Sequence, residues 1–310
     1  MANILVTGAA GFLGHQLWDA LCAQGHATVG VDDLSVTPVI APPPGLVRMD
    51  VRALAPDFLR RHRIEEVVHL AAKKSVSASF RHLDHAVENF EMSLRLLDAC
   101  AQAGVRRVYQ AGTCEMYGDS TTTLDEQSAY SPLSPYAVSK VAGEHLAEVY
   151  MRRAPGMRVT SLRFFNIYGP TEGTDAVIPS FVTRTLRGEP ILIEGDGTQA
   201  RDFTYIDDAI CAISSIINDK TRYHRSINIS SGQTHTIREL AEAVRSLLPW
   251  LQIRHTEGRP NEIRSFPSDS ALLRECYRFQ PRHTLAEGIA EVIRFYRPAT
   301  EQPATLRCAL

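Results

Sequence analysis

Tyr136 and Lys140 stand four residues apart in Ser134-Pro135-Tyr136-Ala137-Val138-Ser139-Lys140, a stretch that reads as the beginning of a helix, so both side chains share one face. An unperturbed tyrosine titrates at about 10, too high for a base at neutral pH, but an ammonium one turn away favours the phenolate. Such a pair can take a proton from an alcohol while the alcohol's carbon gives up hydride. A place for the hydride acceptor lies near the start of the chain. Gly8-Ala9-Ala10-Gly11-Phe12-Leu13-Gly14 follows an apolar strand pattern and opens a helical one. Glycines there permit a tight turn and close approach of backbone to a pyrophosphate, and the helix N-terminus adds free N–H groups and partial positive charge. Asp32, 18 residues after Gly14, is placed to accept both ribose hydroxyls of NAD, and Asp33 beside it repels the 2′-phosphate of NADP. A third cluster, Thr113-Cys114-Glu115, ends an apolar run and therefore projects from the carboxyl end of a sheet. Glu115 is either a base or a solvated loop carboxylate. Cys114 is either a weak proton donor, mostly protonated at neutral pH, or a packed inert thiol.

These groups need a frame. Short β-branched runs at 4–7, 28–32, 67–70, 108–111 and 159–163 alternate with helical patterns, among them Leu13, Leu17, Ala20 and Leu21, ending near Gly25, and a longer one over 85–103 that stops at Gly104. Near-continuous apolar strands separated by helices predict an α/β fold, a doubly wound parallel sheet covered on both faces. Ala41-Pro42-Pro43-Pro44-Gly45 reads as a surface loop. After residue 166 the connections become rich in Gly and Pro, which predicts a second, smaller C-terminal lobe. Ile289, Val292, Ile293 and Tyr296 predict a last helix stopped by Pro298, with a loosely held tail from Ala299 to Leu310.

The spacing Gly-x-x-Gly-x-x-Gly in Thr7-Gly8-Ala9-Ala10-Gly11-Phe12-Leu13-Gly14 resembles the signature of the extended short-chain dehydrogenase/reductase family, the NAD-dependent nucleotide-sugar epimerases and dehydratases. Further matches follow in family order: Asp50-Val51, His69-Leu70-Ala71-Ala72, Lys74, Asn89, Tyr136-x-x-x-Lys140, Arg163-Phe164-Phe165-Asn166, Gly195-Asp196-Gly197 and Arg201-Asp202-Phe203, so the resemblance spans residues 3–295. It implies a Rossmann-type NAD lobe over 1–166, re-entered around 203–230, with most of 167–310 forming a nucleotide-sugar lobe. It also implies that Asp50 and Val51 sit by the adenine, that Leu70, Ala71, Ala72, Lys74 and Asn89 line the cofactor, and that Lys140 holds the nicotinamide ribose. Thr113, four residues before Tyr117-Gly118, would hydrogen-bond the reacting oxygen; Lys74, Asn166, Arg201 and Arg259 would hold the substrate diphosphate, and Glu262 its ribose. Asn261 stands where the family usually has Gly.

The resemblance also bears on the reaction. Simple 4-epimerases carry small or apolar residues after the hydroxyl, whereas 4,6-dehydratases carry a pattern like Thr-Asp-Glu, in which the Glu removes the C5 proton and the Asp protonates the departing C6 hydroxyl. Glu115 stands where that base stands, and Cys114 replaces the acid. The likeness points to a UDP-N-acetylglucosamine 5,6-dehydratase of the kind found in tunicamycin biosynthesis: oxidation at C4, loss of water across C5–C6, and hydride returned to C4. A UDP-hexose 4-epimerase, a UDP-glucuronate decarboxylase, a 4,6-dehydratase and a noncatalytic NAD(H) sensor remain alternatives. Helices near 85–103 and 136–152 resemble those that pair in a four-helix dimer interface, implying a homodimer.

Composition excludes other classes. The 33 Lys and Arg nearly balance 35 Asp and Glu, and no basic block could track a phosphate backbone, so nucleic acid is not an expected partner. Charges interrupt every apolar stretch before the roughly 18 residues of a membrane-spanning helix, so no membrane is expected. No leader precedes the first strand, and six scattered cysteines without a Cys-x-x-Cys pair suit reduced thiols, so a cytoplasmic protein is expected. No metal site is expected, and Arg60-Arg61-His62-Arg63 reads as a solvated helix face.

Overall fold

Strands β1 (Asn3–Thr7), β2 (Ala27–Asp32), β3 (Val47–Arg48), β4 (Glu66–His69), β5 (Arg107–Thr113) and β6 (Arg158–Phe164) run through the first half of the chain in a computed structural model that describes residues 1–258 and 263–301. They are followed by β7 (Asn166–Tyr168), β8 (Ile191–Glu194), β9 (Ala200–Tyr205), β10 (Ser226–Ile229), β11 (Thr234–Thr236) and β12 (Ile253–Thr256). The helices are α1 (Phe12–Ala23), α2 (Pro56–Arg61), α3 (Val76–Arg81), α4 (Asp84–Ala103), α5 (Pro135–Arg153), α6 (Val177–Leu186), α7 (Ile206–Asn218), α8 (Ile237–Leu247), α9 (Ala271–Tyr277) and α10 (Leu285–Glu301).

Seven strands form one sheet in the order β10-β6-β5-β4-β1-β2-β3, with every neighbouring pair parallel. Because side chains alternate across a strand, Ile4 and Val6 enter one core with Leu17, Val68, Leu162 and Ile213, while Leu5 enters the other with Val67, Leu96, Val108 and Val159. Both faces are covered, which is why these strands read as unbroken apolar runs. From β1 the chain moves outward to β2 and β3, then returns to place β4 on the other side of β1. At that reversal the connections leave in opposite directions and open a crevice at the carboxyl ends of β1 and β4. Gly104 ends α4 in the left-handed region at φ 79°. Ser134 starts α5 by accepting the Ala137 N–H at 3.1 Å, with Pro135 in the first helical position.

Beyond residue 166 the sheets are smaller: β11-β9-β7 and the parallel pair β12-β8. The chain returns to the main sheet at β10, beside β6, and α7 lies against α1. The last helix does not stop at Pro298 but continues to Glu301. A proline near the end of a 17-residue helix anchored by buried Ile289, Val292 and Tyr296 removes one backbone donor, and that loss is not enough to end it. Arg60 and Arg61 lie on α2, whereas Arg63 is in the left-handed region at φ 51°, outside it. Among the described residues no helix is long and apolar enough to cross a membrane.

Candidate active site

The glycine turn fills the crevice between β1 and β4. Gly8 has φ +70°, and a Cβ there would lie 2.7 Å from the Ala71 nitrogen; at Gly14 it would lie 2.0 Å from the Gly8 carbonyl oxygen. The turn is therefore built against the Leu70–Ala71 backbone and leaves no room for side chains, as a cradle for a pyrophosphate requires. Gly11 N–H closes it on the Gly8 carbonyl at 3.0 Å, and Phe12 and Leu13 begin α1. Thr7 fastens the two strand ends, its hydroxyl 2.8 Å from His69 Nδ1 and accepting the Ala71 N–H at 3.4 Å. Burial, then the nearby Lys140 charge, pull His69 down to about 3, so it is neutral at working pH. Asp32 ends β2 with its carboxylate accepting from Ala10 N–H at 3.1 Å and Leu34 N–H at 2.8 Å, which fixes it beside the turn. Asp33 is exposed and accepts from Ser35 N–H. Asp50 and the buried Val51 follow Met49, whose N–H meets the Asp32 carbonyl at 2.8 Å. Hydrogen bonds from Arg52 hold the Asp50 carboxyl below its ordinary value. Turn, carboxylate and helix N-terminus together fit a dinucleotide.

Lys73 and Lys74 follow β4 on a loop held by Asn89, which accepts from Lys73 N–H at 2.8 Å and donates to the Lys73 carbonyl at 3.2 Å and to Ser139 Oγ at 3.3 Å. Asn89 is buried with its amide engaged by these groups, Ala72 is half-buried, and Lys74 is exposed. Ser139 donates in turn to the Tyr136 carbonyl at 2.7 Å, and Ser79 Oγ accepts the Tyr136 N–H at 3.3 Å. Ser79, Ser134 and Ser139 thus fix the first turn of α5. Sequence reasoning passed over Ser79 because its contact lies 57 positions away; Ser134 and Ser139 act within three residues, and the Ser-Pro helix start is the signal that could have found Ser134.

Tyr136 and Lys140 share one face of α5 as expected, the Lys140 Nζ 5.9 Å from the Tyr136 ring centroid. Both are more than nine-tenths buried or close to it, at 9% exposure. The expected phenolate does not form in the free protein. Burial pushes the Tyr136 phenol well above its ordinary value; a hydrogen bond from Thr113 opposes this, and Cys114 and Glu115 add to it. Burial also pulls Lys140 down to about 8. Removing both groups from water outweighs their mutual attraction. Thr113 ends β5 and its Oγ also accepts the Glu115 N–H at 3.3 Å, so one hydroxyl joins the tyrosine to the turn Cys114–Met116.

Glu115 is half-buried on that turn. Cys114 packs with Tyr117, Leu124, Phe165, Ile263 and Phe266, and burial first, then Glu115, push its thiol well up, so it keeps its proton. Arg201 reaches the same cluster, its guanidinium 4.8 Å from the Phe266 ring centroid. Asn166 begins β7 with its side-chain oxygen buried and without a hydrogen-bond partner. Arg259 and Glu262 lie outside the described residues. One histidine spacing does suit a metal, His82 and His85 with ring centroids 5.2 Å apart, but among the described residues no third ligand joins them.

Residues 4–230 match the NAD dependent epimerase/dehydratase family. A UDP-glucose 4-epimerase of Mycolicibacterium smegmatis is 33% identical over 94% of this chain and 98% of its own length. Among solved structures, TunA, an NAD-dependent NDP-hexosamine 5,6-dehydratase involved in tunicamycin biosynthesis, superposes with TM-score 0.89 at 34% identity over 96% of this chain and 98% of its own. MoeE5 in complex with UDP-glucuronic acid and NAD does so with TM-score 0.89 at 33% identity over 96% and 99%.

Proposed function

The chain belongs to the NAD dependent epimerase/dehydratase family, and from that premise we propose that it removes water across C5–C6 of a UDP-linked hexosamine, UDP-N-acetylglucosamine first, with hydride returned to C4. The observation that carries the reading is Glu115 beside the protonated thiol of Cys114, on the turn capped by Thr113, which hydrogen-bonds Tyr136. The likeness to a 5,6-dehydratase supports it. The glycine turn and Asp32 would hold NAD, which would supply reversible hydride acceptance and, when oxidised, a positive charge that favours the Tyr136 phenolate.

Tyr136 takes the proton of the C4 hydroxyl, with Thr113 orienting that oxygen and Lys140 holding the cofactor ribose. A C4 ketone acidifies the C5–H, and Glu115 accepts that proton. Cys114 gives its proton to the C6 hydroxyl, which leaves as water. Glu115 then returns a proton to Cys114, and Tyr136 returns its own to the C4 oxygen, so the residues end as they began. Asn166, Lys74, Arg201, Arg259 and Glu262 hold the diphosphate and ribose. Residues 1–166 with 203–230 form the cofactor lobe in this reading, and most of 167–310 the sugar-nucleotide lobe. The five described cysteines are free, which suits the cytoplasm. Exposed Leu83, Val87 and Phe90 on and beside α4, with Leu133 and Val138 at α5, form an apolar face suited to a second copy of the chain. The 4-epimerase relative favours one alternative, C4 inversion, which requires no C5 base.

Mass spectrometry after incubation with NAD and UDP-N-acetylglucosamine separates the readings. Loss of one water supports dehydration; unchanged mass with a new stereoisomer supports epimerisation; loss of carbon dioxide from UDP-glucuronate supports decarboxylation; no turnover with tight NADH binding supports a sensor. Glu115→Gln abolishes solvent deuterium exchange at C5 and spares the reduced-cofactor absorbance, Tyr136→Phe removes both, and Cys114→Ala keeps exchange while slowing water loss. Exchange that survives in Glu115→Gln refutes the assigned base.

A further inference from the structure

The connection from β7 to α6 carries three anomalies that the steps above do not use. Thr171, buried and not a glycine, sits in the left-handed region at φ 70°. Glu172 beside it is 8% exposed, and its Oε2 has no hydrogen-bond partner. Asn166, six residues earlier, has a buried side-chain oxygen in the same condition. The backbone of the loop is well anchored: the Tyr296 hydroxyl of α10 donates to the Glu172 carbonyl, Glu172 N–H meets the Gly169 carbonyl at 3.4 Å, and Ala176 N–H meets that of Gly173 at 3.0 Å. The loop is therefore held while its carboxyl is left unsatisfied, an uncommon and costly arrangement that a ligand hydroxyl would complete.

The charged groups facing Glu172 are Lys74, from the loop after β4, and Asp175 of its own loop; the titratable Tyr296 lies on α10. Lys74 is exposed and has no ion pair among the described residues, so the cation whose charge bears on the carboxyl is one already assigned to substrate. Burial raises Glu172 to about 8, with Lys74 opposing and Asp175 adding, so at neutral pH it is chiefly a neutral acid that can both donate and accept a hydrogen bond. A sugar hydroxyl does the same. A hexuronate would bring a second carboxyl group to it: the neutral acid tolerates that, but once pH rises through about 8 and Glu172 ionises, two like charges would share a buried site at high cost.

We propose that Glu172, with Asn166 and Lys74, forms a sugar-recognition subsite that hydrogen-bonds the hydroxyls of a neutral hexose or hexosamine and, once Glu172 is ionised, rejects hexuronates. It rests on the nucleotide-sugar reading but not on dehydration. The test is calorimetric binding of UDP-N-acetylglucosamine and UDP-glucuronate to the NAD-loaded full chain. Between pH 7 and pH 9 the wild type's preference for the neutral sugar rises about tenfold as Glu172 ionises, and Glu172→Gln, which keeps hydrogen bonding but cannot ionise, loses that rise by keeping its affinity for UDP-glucuronate. Glu172→Met, which keeps bulk and loses hydrogen bonding, weakens UDP-N-acetylglucosamine instead, so either variant alone bears on the proposal. A pH 9 preference in folded, NAD-binding Glu172→Gln that stays within about twofold of wild type overturns it. If the preference shifts but UDP-N-acetylglucosamine loses no water, the dehydration is refuted and the subsite stands. If water is lost but the preference does not move, the subsite is refuted and the dehydration stands.

Discussion

Replacing Lys140 with methionine will make the cofactor-free protein more stable. Lys140 is 9% exposed, no hydrogen bond or ion pair holds its ammonium among the described residues, and the Tyr136 ring centroid lies 5.9 Å from it. Burial brings its pKa from 10.5 to about 8. At 1.36 kcal/mol for each tenfold step, keeping the charged form inside the fold costs about 3 kcal/mol. The sign follows from proton counting. Below the folded value both states carry the proton and the full penalty applies; between it and 10.5 the unfolded chain binds more protons, so stability rises with pH and the penalty fades. Urea unfolding of the cofactor-free protein at pH 7 and pH 10 measures this. Lys140→Met is expected to exceed wild type by about 3 kcal/mol at pH 7 and by much less at pH 10, while losing activity. NAD in saturating amount reverses part of the gap, because only the lysine gains ribose acceptors. A variant less stable than wild type at pH 7, or a difference independent of pH, refutes the argument that Lys140 is retained for chemistry at the expense of the fold.

Gly14→Ala puts a methyl group 2.0 Å from the Gly8 carbonyl, so the turn has to open; NAD affinity by fluorescence titration is expected to fall about tenfold or more, and unchanged affinity would show that the turn does not hold the cofactor. Phe90→Glu on the apolar face of α4 is expected to halve the mass seen by light scattering with chromatography, and a wild type already monomeric defeats the proposed dimer face.

The main sheet is legible because its strands are buried on both faces and their punctuation is chemical: Gly8, Gly14 and Gly104 each meet a backbone demand that other residues fail. Tyr136 and Lys140 are legible because helical periodicity alone puts them on one face. Their charge states are not, since burial depends on what Thr113, Ser79 and Asn89 bring from other elements. The pairing of β9 with β7 and β11 is hidden, because β7 and β11 have three residues each, too few to show a period. Pro298 misled because so near the end of α10 a proline costs one backbone donor, less than the packing of the same four apolar residues that reveal the helix. Glu172 has no motif around it; only its missing partner marks it.

The wall behind Gly8 is the Leu70–Ala71 backbone, more than sixty positions downstream. A growing chain that has delivered β1, the glycine turn, α1 and β2 has every residue of the dinucleotide signature and still has nothing for the turn to rest on. Until β4 slides in beside β1, NAD has no cradle to stabilise. The cofactor therefore cannot act as a template for the earliest folding of its own half, and it locks a sheet whose central pairing was settled without it.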